Sequence, residues 1–576
     1  MQSEQKSKAE ALAPLIALAI GAAAIVAAWS CRFLQDDAFI SFQYSRNLVE
    51  GAGLTWFGDR VEGYTNFLWV LWTALGIRLG VEPTTWSYAS GLVAFAGTLL
   101  ATWKLARAAF GRAVPALFAV LLLAINYSTL CFATGGLETM LHTAILTAAA
   151  LQVLRLRAAA GSATAAGAGS SRGTSVSLSL LLGVAVLVRM DSAVPAAVLL
   201  FFAVRALRSR RGPSSEYLML LGPFAAIVVT WLAWKLVYYG SLVPNTYWAK
   251  VGMSASSLQN GLKYAGRYLH WYMLWPFFLA GGLAIILRRT RRVGRAPSAG
   301  NRAAASHGGG PATDLVPVIV TAAAWWLYVV AIGGDFMEFR MLIPAAPMVA
   351  VALAFLLHDG LGALARAPIP VAAVSSAVLL LVSVHHGRTF VKITADQTLD
   401  SVRMLGNFYD VYKGRQWSWL GGALRRELAD ERVLLAARAV GAIPYYSRIP
   451  TVDMYGLNDR WVAKKGATAP SRYARPGHQR QATLSYLRRR GVNFVIGHPT
   501  VVRPGALLQP QMRGALRAWA AGAISFNREP TGPVTLVSLP VDSEASLLLW
   551  YLTPTPELDA VISARGWETL TLAGGQ

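Results

Sequence analysis

Apolar runs that are long enough to cross a lipid bilayer recur through the first two thirds of the sequence. A hydrocarbon core of about 30 Å needs about 20 mostly apolar residues in a transmembrane helix. Only 14% of the 576 residues are charged, whereas soluble domains average about 25%. We therefore expect a polytopic α-helical membrane protein with about eleven spans. The candidate spans are Ala11–Ser30, Trp86–Trp103, Val114–Leu130, Thr139–Leu154, Val176–Val188, Ala193–Val204, Tyr217–Tyr238, Trp271–Leu287, Leu315–Ile332, Met341–Leu357 and Ile369–Val384.

The distribution of Lys and Arg sets the expected orientation in the membrane. The aromatic segment Tyr64–Leu79 suits either a span or a helix that lies at the interface. If it lies at the outer interface, nearly every basic cluster falls on one side of the membrane. This is the pattern expected of cytoplasmic loops, which carry an excess of Lys and Arg. We therefore expect a plasma-membrane protein with a cytoplasmic N-terminus and an extracytoplasmic C-terminal part. The clusters that sort together are Lys6/Lys8, Lys104/Arg107/Arg112, Arg155/Arg157/Arg172, Arg205/Arg208/Arg210/Arg211 and Arg288/Arg289/Arg291/Arg292/Arg295.

The net charge of +24 has the same explanation. A soluble chain this basic would suggest nucleic acid, but here the excess is expected in loops that face the cytoplasm. Membrane lipids are therefore expected partners and nucleic acid is not. Cys31 and Cys131 have neither zinc nor redox spacing, and we interpret them as unrelated thiols rather than a disulfide.

After about Gly387 the composition changes to that of a soluble domain. Short apolar runs and amphipathic stretches there predict an α/β domain. The expected division is a membrane domain at 1–386, with a first outer loop at 31–85, and an extracytoplasmic domain at 387–576. The predicted strands are Val433–Ala437, Val492–Gly497, Val534–Leu539 and Leu547–Leu552, and the predicted helices are Leu399–Tyr412 and Gly421–Asp430.

Ionisable residues occur at every outer connection of this topology. At a membrane boundary such groups are costly unless they are paired or used. Carboxylates and cations that gather on one face suit a phosphate-bearing substrate, because Arg and Lys hold phosphate and a carboxylate accepts a proton. The segments concerned are 35–42, 61–66, 135–139, 189–191, 244–250 and 333–340.

Each of these features also has a structural explanation. The Asp36-Asp37 pair could cap a helix or be solvated, and Glu138 could be a helix N-terminal charge that the dipole favours. Arg189 and Asp191 could form a local ion pair that fixes a turn. Arg340 could extend its charge to an interface.

Two segments of the first outer loop, Asp36-Asp37-Ala38-Phe39-Ile40 and Val61-Glu62-Gly63-Tyr64-Thr65-Asn66, resemble the GT-C superfamily of membrane glycosyltransferases. The resemblance is greatest to the cell-wall arabinofuranosyltransferase-like branch, and similar signatures occur in membrane proteins linked to flagellar motor control. It continues, in the same order, through Gly136-Leu137-Glu138-Thr139, Pro244-Asn245-Thr246-Tyr247 with Lys250, Gly333-Gly334-Asp335 with Arg340, and Asp453-Met454-Tyr455-Gly456-Leu457. Phe67 and Met190 depart from the family pattern, which often has Pro at both places.

The resemblance implies that the loop 31–85 is catalytic and that one aspartate of the Asp36-Asp37 pair is the base. We favour Asp36. If the pair is extended, its two side chains point in opposite directions. The substrate-binding residues that the resemblance implies are Glu62, Tyr64, Asn66, Glu138, Arg189, Asp191, Asn245, Tyr247, Lys250, Asp335 and Arg340. Arg189, Lys250 and Arg340 are expected to lie together and neutralise a donor phosphate. No cofactor and no metal site are predicted, and a divalent metal is left open.

The predicted function is transfer of a sugar, such as an arabinofuranose-like unit, from a polyprenyl-phosphate donor on the non-cytoplasmic face. The acceptor would be an envelope glycan, a lipid or a protein. The alternative is a non-catalytic membrane factor of this fold, in flagellar motor control or envelope assembly. A transporter is disfavoured, because transporters place charges near the midplane of repeated halves, and no internal repeat is seen here.

Overall fold

The computed structural model describes residues 2–160, 165–250, 255–293, 315–389, 399–407, 416–469, 478–524 and 532–573. The helices are α1 (Gln2–Ser30), α2 (Asp36–Val49), α3 (Phe67–Arg78), α4 (Pro83–Phe110), α5 (Ala113–Ala124), α6 (Tyr127–Cys131), α7 (Thr139–Ala160), α8 (Ala165–Val188), α9 (Ala193–Ser209), α10 (Ser214–Tyr239), α11 (Asn245–Lys250), α12 (Ala255–Trp271), α13 (Leu274–Val293), α14 (Val316–Ala331), α15 (Ala346–Phe355), α16 (Pro368–Thr389), α17 (Val402–Asn407), α18 (Trp417–Leu428), α19 (Ala442–Ser447), α20 (Arg460–Lys465), α21 (Leu484–Arg489), α22 (Arg513–Ile524) and α23 (Pro556–Ala564). The strands are β1 (Leu435–Ala437), β2 (Thr451–Asp453), β3 (Ala467–Thr468), β4 (Arg480–Gln481), β5 (Phe494–Gly497), β6 (Val501–Val502), β7 (Val534–Asp542), β8 (Ala545–Tyr551) and β9 (Glu568–Leu572).

The apolar helices make the chain a multi-pass membrane protein. Among the described residues, eight helices are long and apolar enough to span, and α12 and α13 form a ninth candidate that is bent by 79°. Two predicted spans fall on shorter apolar helices, α14 with 16 residues and α5 with 12 residues. The predicted span Val114–Leu130 is divided between α5 and α6, because the helix is interrupted at Ile125 and Asn126.

The segment Tyr64–Leu79, which the sequence left ambiguous, contains helix α3. Its 12 residues rise about 18 Å, well short of a hydrocarbon core of about 30 Å. This length favours a helix at the interface over a span.

Burial separates the helices that face lipid from those that do not. In the apolar window of α10 only 11% of residues are buried, and in that of α1 only 17%. The window at Arg340–Gly362, which includes α15, is 78% buried. Because large exposed apolar faces mark contacts with a membrane or a partner, we interpret the outward faces of α1 and α10 as the ones that face lipid.

The chain divides into two compact units, each built from separate stretches of sequence. Unit 1 comprises Met1–Phe33, Thr85–Trp234 and Met253–Lys392, and unit 2 comprises Leu34–Thr84, Lys235–Gly252 and Ile393–Gln576. The first outer loop thus folds within unit 2, together with the C-terminal residues.

Unit 2 contains the predicted α/β region. Seven strands form a mixed sheet in the order β2-β1-β5-β8-β7-β9, with β6 paired to β8, and β1 runs parallel to β2 and β5. The four predicted strands correspond to β1, β5, β7 and β8. The predicted helix Gly421–Asp430 corresponds to α18; Leu399–Tyr412 contains α17, and its end lies outside the described residues.

In unit 1, Cys31 follows α1 and Cys131 ends α6. Both are free thiols rather than a disulfide, as the sequence analysis expected, and their side chains lie close enough to interact. Cys31 is half-buried and Cys131 is buried. The contact fixes the end of α1 against α6.

We predict that mild oxidation with diamide links Cys31 to Cys131, because disulfides form readily between thiols that already touch. The two thiols would lose their protons and an electron pair to diamide, which is reduced to the hydrazine. Mass spectrometry of unreduced peptides should detect the linked pair, and Cys131→Ser should abolish it. Recovery of both cysteines as free thiols after oxidation would contradict the prediction.

Candidate active site

The Asp36-Asp37 pair begins helix α2 in unit 2. Both acids lie in the first turn, where the helix dipole favours negative charge. The pair is therefore helical rather than extended, so its side chains diverge by about 100° instead of pointing in opposite directions. Residues 38–47 of α2 are all buried, which holds the first turn in place.

The Asp36 carboxylate accepts two main-chain hydrogen bonds at the start of α19. Its oxygens lie 3.1 Å from the Gly441 nitrogen and 2.7 Å from the Ala442 nitrogen. Burial, reinforced by the Asp37 charge and opposed by these two hydrogen bonds, raises the pKa of Asp36 to about 7. Asp36 therefore joins α2 to the chain segment before α19.

Gly441 makes this contact sterically feasible. A Cβ atom at Gly441 would overlap the main-chain oxygen and the carboxyl carbon of Asp36, so the two segments approach as closely as their backbones allow.

We predict that Gly441→Ala destabilises unit 2 by about 1–3 kcal/mol, the usual effect of overpacking. Gly422→Ala is the matched control, because a Cβ atom at that position in α18 meets nothing within 4 Å and Ala suits a helix interior better than Gly by about 0.5–1 kcal/mol. Thermal unfolding of the purified protein measures both. Equal unfolding temperatures for the two variants would contradict the prediction.

The segment 61–66 packs against the loop that follows β2. The Tyr44 hydroxyl accepts from the Gly63 nitrogen at 3.1 Å, and lies 2.7 Å from the Val61 oxygen and 3.0 Å from Asn458 Oδ1. Asp453 is fully buried and accepts from the nitrogens of residues 455, 456 and 458. Burial raises the pKa of Asp453 to about 6. Asp453 thus shapes the loop that holds Tyr44.

Several residues predicted to bind substrate make structural contacts in this unit. The Asn245 side-chain amide donates to the main-chain oxygens of Gly456 and Leu457 at 2.8 and 3.0 Å. The main-chain nitrogen of Asn245 donates to the main-chain oxygen of Glu62 at 2.9 Å. The Tyr64 hydroxyl pairs with that of Tyr239 at 3.0 Å, and Asn66 exchanges hydrogen bonds with Ser41. Tyr247 is 44% exposed, and the Lys250 side chain lies outside the described part of the chain.

The Glu62 carboxylate has a partner that the sequence analysis missed. Lys235 Nζ lies 2.9 Å from Glu62 Oε2, and the two side chains are 0% and 4% exposed. Burial raises the pKa of Glu62 to about 7, against the lowering effect of the Lys235 charge. A lysine inside the predicted span Tyr217–Tyr238 is a signal that could have identified this pair, since charges in spans are rare and paired.

The remaining predicted residues lie in unit 1 and form buried ion pairs. Arg189 Nη1 donates to Glu138 at 2.8 Å, and its Nε and Nη2 atoms donate to both oxygens of Asp191 at 3.0 and 2.6 Å. Arg340 donates twice to Asp335, at 2.8 Å in each case. The Arg340 charge acts on Asp191, so the two groups are near one another.

The charges of this cluster do not favour a phosphate site in which Arg189 and Arg340 act together. Two arginines and three carboxylates, all mostly buried, give the cluster a net charge of −1. Arg189 uses three of its nitrogens on carboxylates. Arg340 contacts one carboxylate through Nε and Nη2, which leaves its Nη1 atom for a further acceptor.

Glu338 is a buried acid in the segment 333–340 that the sequence analysis did not select as a site residue. Its Oε1 atom accepts from Ser128 at 3.0 Å and lies 2.7 Å from His386 Nε2. It holds the turn at Phe339, whose positive φ of 50° is unusual for a residue with a side chain. Within the described ranges, no three His, Cys, Asp or Glu side chains converge as metal ligands.

Comparison with known proteins gives one family model, described as a domain of unknown function (DUF8728), which matches residues 410–534. No curated protein matches the chain significantly. The structure of ArnT from Cupriavidus metallidurans bound to undecaprenyl phosphate is similar, with 15% identity, 94% of this chain and 99% of that chain covered, and a TM-score of 0.52. The apo form of ArnT matches with 15% identity, 93% and 98% coverage and a TM-score of 0.53.

A lower score of 0.47 relates the chain to the archaeal oligosaccharyltransferase AglB from Archaeoglobus fulgidus in complex with an inhibitory peptide and a dolichol-phosphate, at 13% identity over 92% of this chain and 74% of that chain. The match to ArnT extends over nearly the whole of both chains. The chain therefore has the GT-C fold, a bundle of membrane-spanning helices with a C-terminal α/β region.

Proposed function

We propose that this protein is a membrane glycosyltransferase that moves a sugar from a polyprenyl-phosphate donor to a hydroxyl of a glycan, lipid or protein acceptor. The observation that carries the proposal is the acidic pair at the first turn of the buried helix α2. Asp36 is held there by two main-chain hydrogen bonds, and Asp37 is the next residue. The near-complete fold match to ArnT, a protein seen with undecaprenyl phosphate, supports the lipid-linked donor.

Within the pair we assign the base to Asp37. Both oxygens of Asp36 already accept main-chain N–H groups, so its carboxylate is committed to holding α2. Asp37 would accept the proton of the acceptor hydroxyl as that oxygen attacks the anomeric carbon. The bond between the anomeric carbon and the phosphate oxygen breaks, and polyprenyl phosphate leaves with the bonding electrons.

For the donor phosphate we assign a contact to Arg340 rather than Arg189, because Arg189 is shared between Glu138 and Asp191. Arg340→Gln should weaken donor binding by about ten- to a hundred-fold, since a hydrogen bond to a charged group contributes about 1.5–3 kcal/mol. Equilibrium binding of a polyprenyl-phosphate sugar to the purified protein measures this. Arg205→Gln, a change in the cytoplasmic cluster, is the control, and an unchanged affinity in the Arg340 variant would contradict the assignment.

The finer features of the proposal rest on the sequence. The segments 36–40 and 61–66 favour an arabinofuranose-like sugar as the first donor to test. The sorting of basic clusters favours a plasma-membrane location, with the active site on the extracytoplasmic face.

The test is an in vitro assay of the purified protein with a panel of polyprenyl-phosphate sugars and candidate acceptors. Transfer of a sugar, with release of polyprenyl phosphate, is the expected result. Donor binding without transfer across the whole panel would instead support the alternative, a membrane factor in motor control or envelope assembly that keeps the fold without catalysis.

A further inference from the structure

Unit 2 contains an open groove that includes none of the residues assigned above to catalysis. Its volume is about 530 Å³, and it is formed by the segments 59–61, 238–240 and 459–461 together with Tyr486 and Arg490. A groove of this size accommodates one or two sugar units, within the usual range for ligand sites. We call it the arginine groove, after Arg60, Arg460 and Arg490.

Hydrogen bonds fix the walls of the arginine groove. Arg460 Nη2 donates to the main-chain oxygens of Arg60 and Tyr239 at 2.6 and 2.7 Å, which joins all three segments. Asp459 caps α20 by accepting from the Val462 nitrogen at 2.9 Å and also accepts from the Tyr486 hydroxyl at 2.6 Å. The groove is therefore preformed, and Asp459 is fully used in building it.

The charges that line the groove favour an anion. Arg60 and Arg460 have no carboxylate partner in the parts of the chain that the structure describes, while Arg490 lies 3.5 Å from Asp59. Three arginines and two aspartates give the lining a charge of +1. The Asp459 carboxylate already accepts hydrogen bonds from Val462 and Tyr486. Planar guanidinium groups match carboxylate and phosphate oxygens in pairs.

The groove also has flat apolar surfaces. Trp461 stacks on Tyr486 with ring centroids 4.1 Å apart and planes 4° apart, and the Arg60 guanidinium lies 5.2 Å from the centroid of Tyr238. The C–H face of a pyranose ring packs against such surfaces, while its hydroxyls bond to the surrounding polar groups. A bare inorganic anion would use only the arginines.

We propose that the arginine groove binds an anionic saccharide, a sugar unit that carries a carboxylate or a phosphate. Binding there does not depend on the proposed transfer reaction. It requires only the guanidinium groups for the acid and the aromatic surfaces for the ring.

The experiment is calorimetric titration of the full-length purified protein with glucuronate, glucose 6-phosphate, glucose, glycerol phosphate and inorganic phosphate. Glucuronate or glucose 6-phosphate should bind at least ten-fold more tightly than the other three probes. Arg60→Gln should weaken that binding by about ten- to a hundred-fold, and Trp461→Ala should weaken it without changing the affinity for inorganic phosphate. Arg517→Gln, on the exposed side of α22, is the matched control and should change nothing.

Each of the following results would overturn the proposal. Equal binding of glucose and glucose 6-phosphate would remove the requirement for an acid. Equal binding of glycerol phosphate or inorganic phosphate would identify a lipid headgroup site or a simple anion site. The proposal would also be overturned if neither acidic sugar bound at concentrations ten-fold above those used for the other probes. An unchanged affinity in Arg60→Gln would overturn it as well. Because the readout is binding alone, a failed transfer assay would leave the result intact.

Discussion

Asp37→Asn is expected to lower turnover by about 10²–10⁴, the usual range for the loss of a general base, while donor binding is largely kept. The asparagine amide fills the same space at the second position of α2 but cannot accept the proton. Asp36→Asn should retain most of the turnover, because its expected defect lies in the two hydrogen bonds to Gly441 and Ala442. Initial rates with a defined donor and acceptor measure both variants.

The pH profile gives a second, independent readout. A base must be ionised, and the raised pKa of Asp36 is about 7. If Asp36 were the base, the rate would rise as the pH rises through 7, and Asp36→Asn would abolish that rise. A profile of this kind, or full turnover in Asp37→Asn, would reverse the assignment of roles within the pair. Wild-type turnover in both variants would remove the pair from catalysis.

Lys235→Met is expected to destabilise unit 2 by about 3–5 kcal/mol, the usual cost of removing one member of a buried ion pair. Lys235 is fully buried against Glu62, so methionine fills the space but leaves a buried carboxylate without its partner. Chemical unfolding of the detergent-solubilised protein measures the loss. Lys465→Met, at the exposed end of α20, is the control and should change the free energy of unfolding by less than about 0.5 kcal/mol.

A double-mutant cycle separates the pair from the packing around it. Two well-packed apolar residues commonly replace a buried ion pair at little cost, so Lys235→Met combined with Glu62→Leu should recover much of the lost stability. Additive effects of the two single changes would show that the 2.9 Å contact contributes nothing of its own.

The membrane helices could be predicted because their signal is local: a run of apolar residues is sufficient. The strands β1, β5, β7 and β8 were predictable for the same reason. Strand β2 was not, because its three residues include one apolar side chain. Strand β9 was missed although its alternating threonines and leucines are a strand pattern. Helix α2 carried no helical period, since Gln43 and Asn47 lie on its buried side and bond to each other at 2.8 Å.

The sequence predicted which residues gather at the candidate site better than it predicted the residues that they contact. The family resemblance selected Asp36, Glu62 and Arg189, but each of them has a partner far away in the sequence. Asp36 binds residues about 400 positions away, and the Glu62 partner lies at the end of a span. Only Asp191, two residues from Arg189, was within reach of the sequence.

During synthesis, Asp36 is made long before Gly441, the residue that it contacts. Gly441 is made 405 residues after Asp36, which at about 5–20 residues per second takes roughly 20–80 s. During that interval Phe39 and Phe42, both fully buried in the finished protein, have no partner from the C-terminal segment. Before residue 441 is made, α2 can pack on α3 but not on α19, so a ribosome that stalls there leaves this face of α2 uncovered.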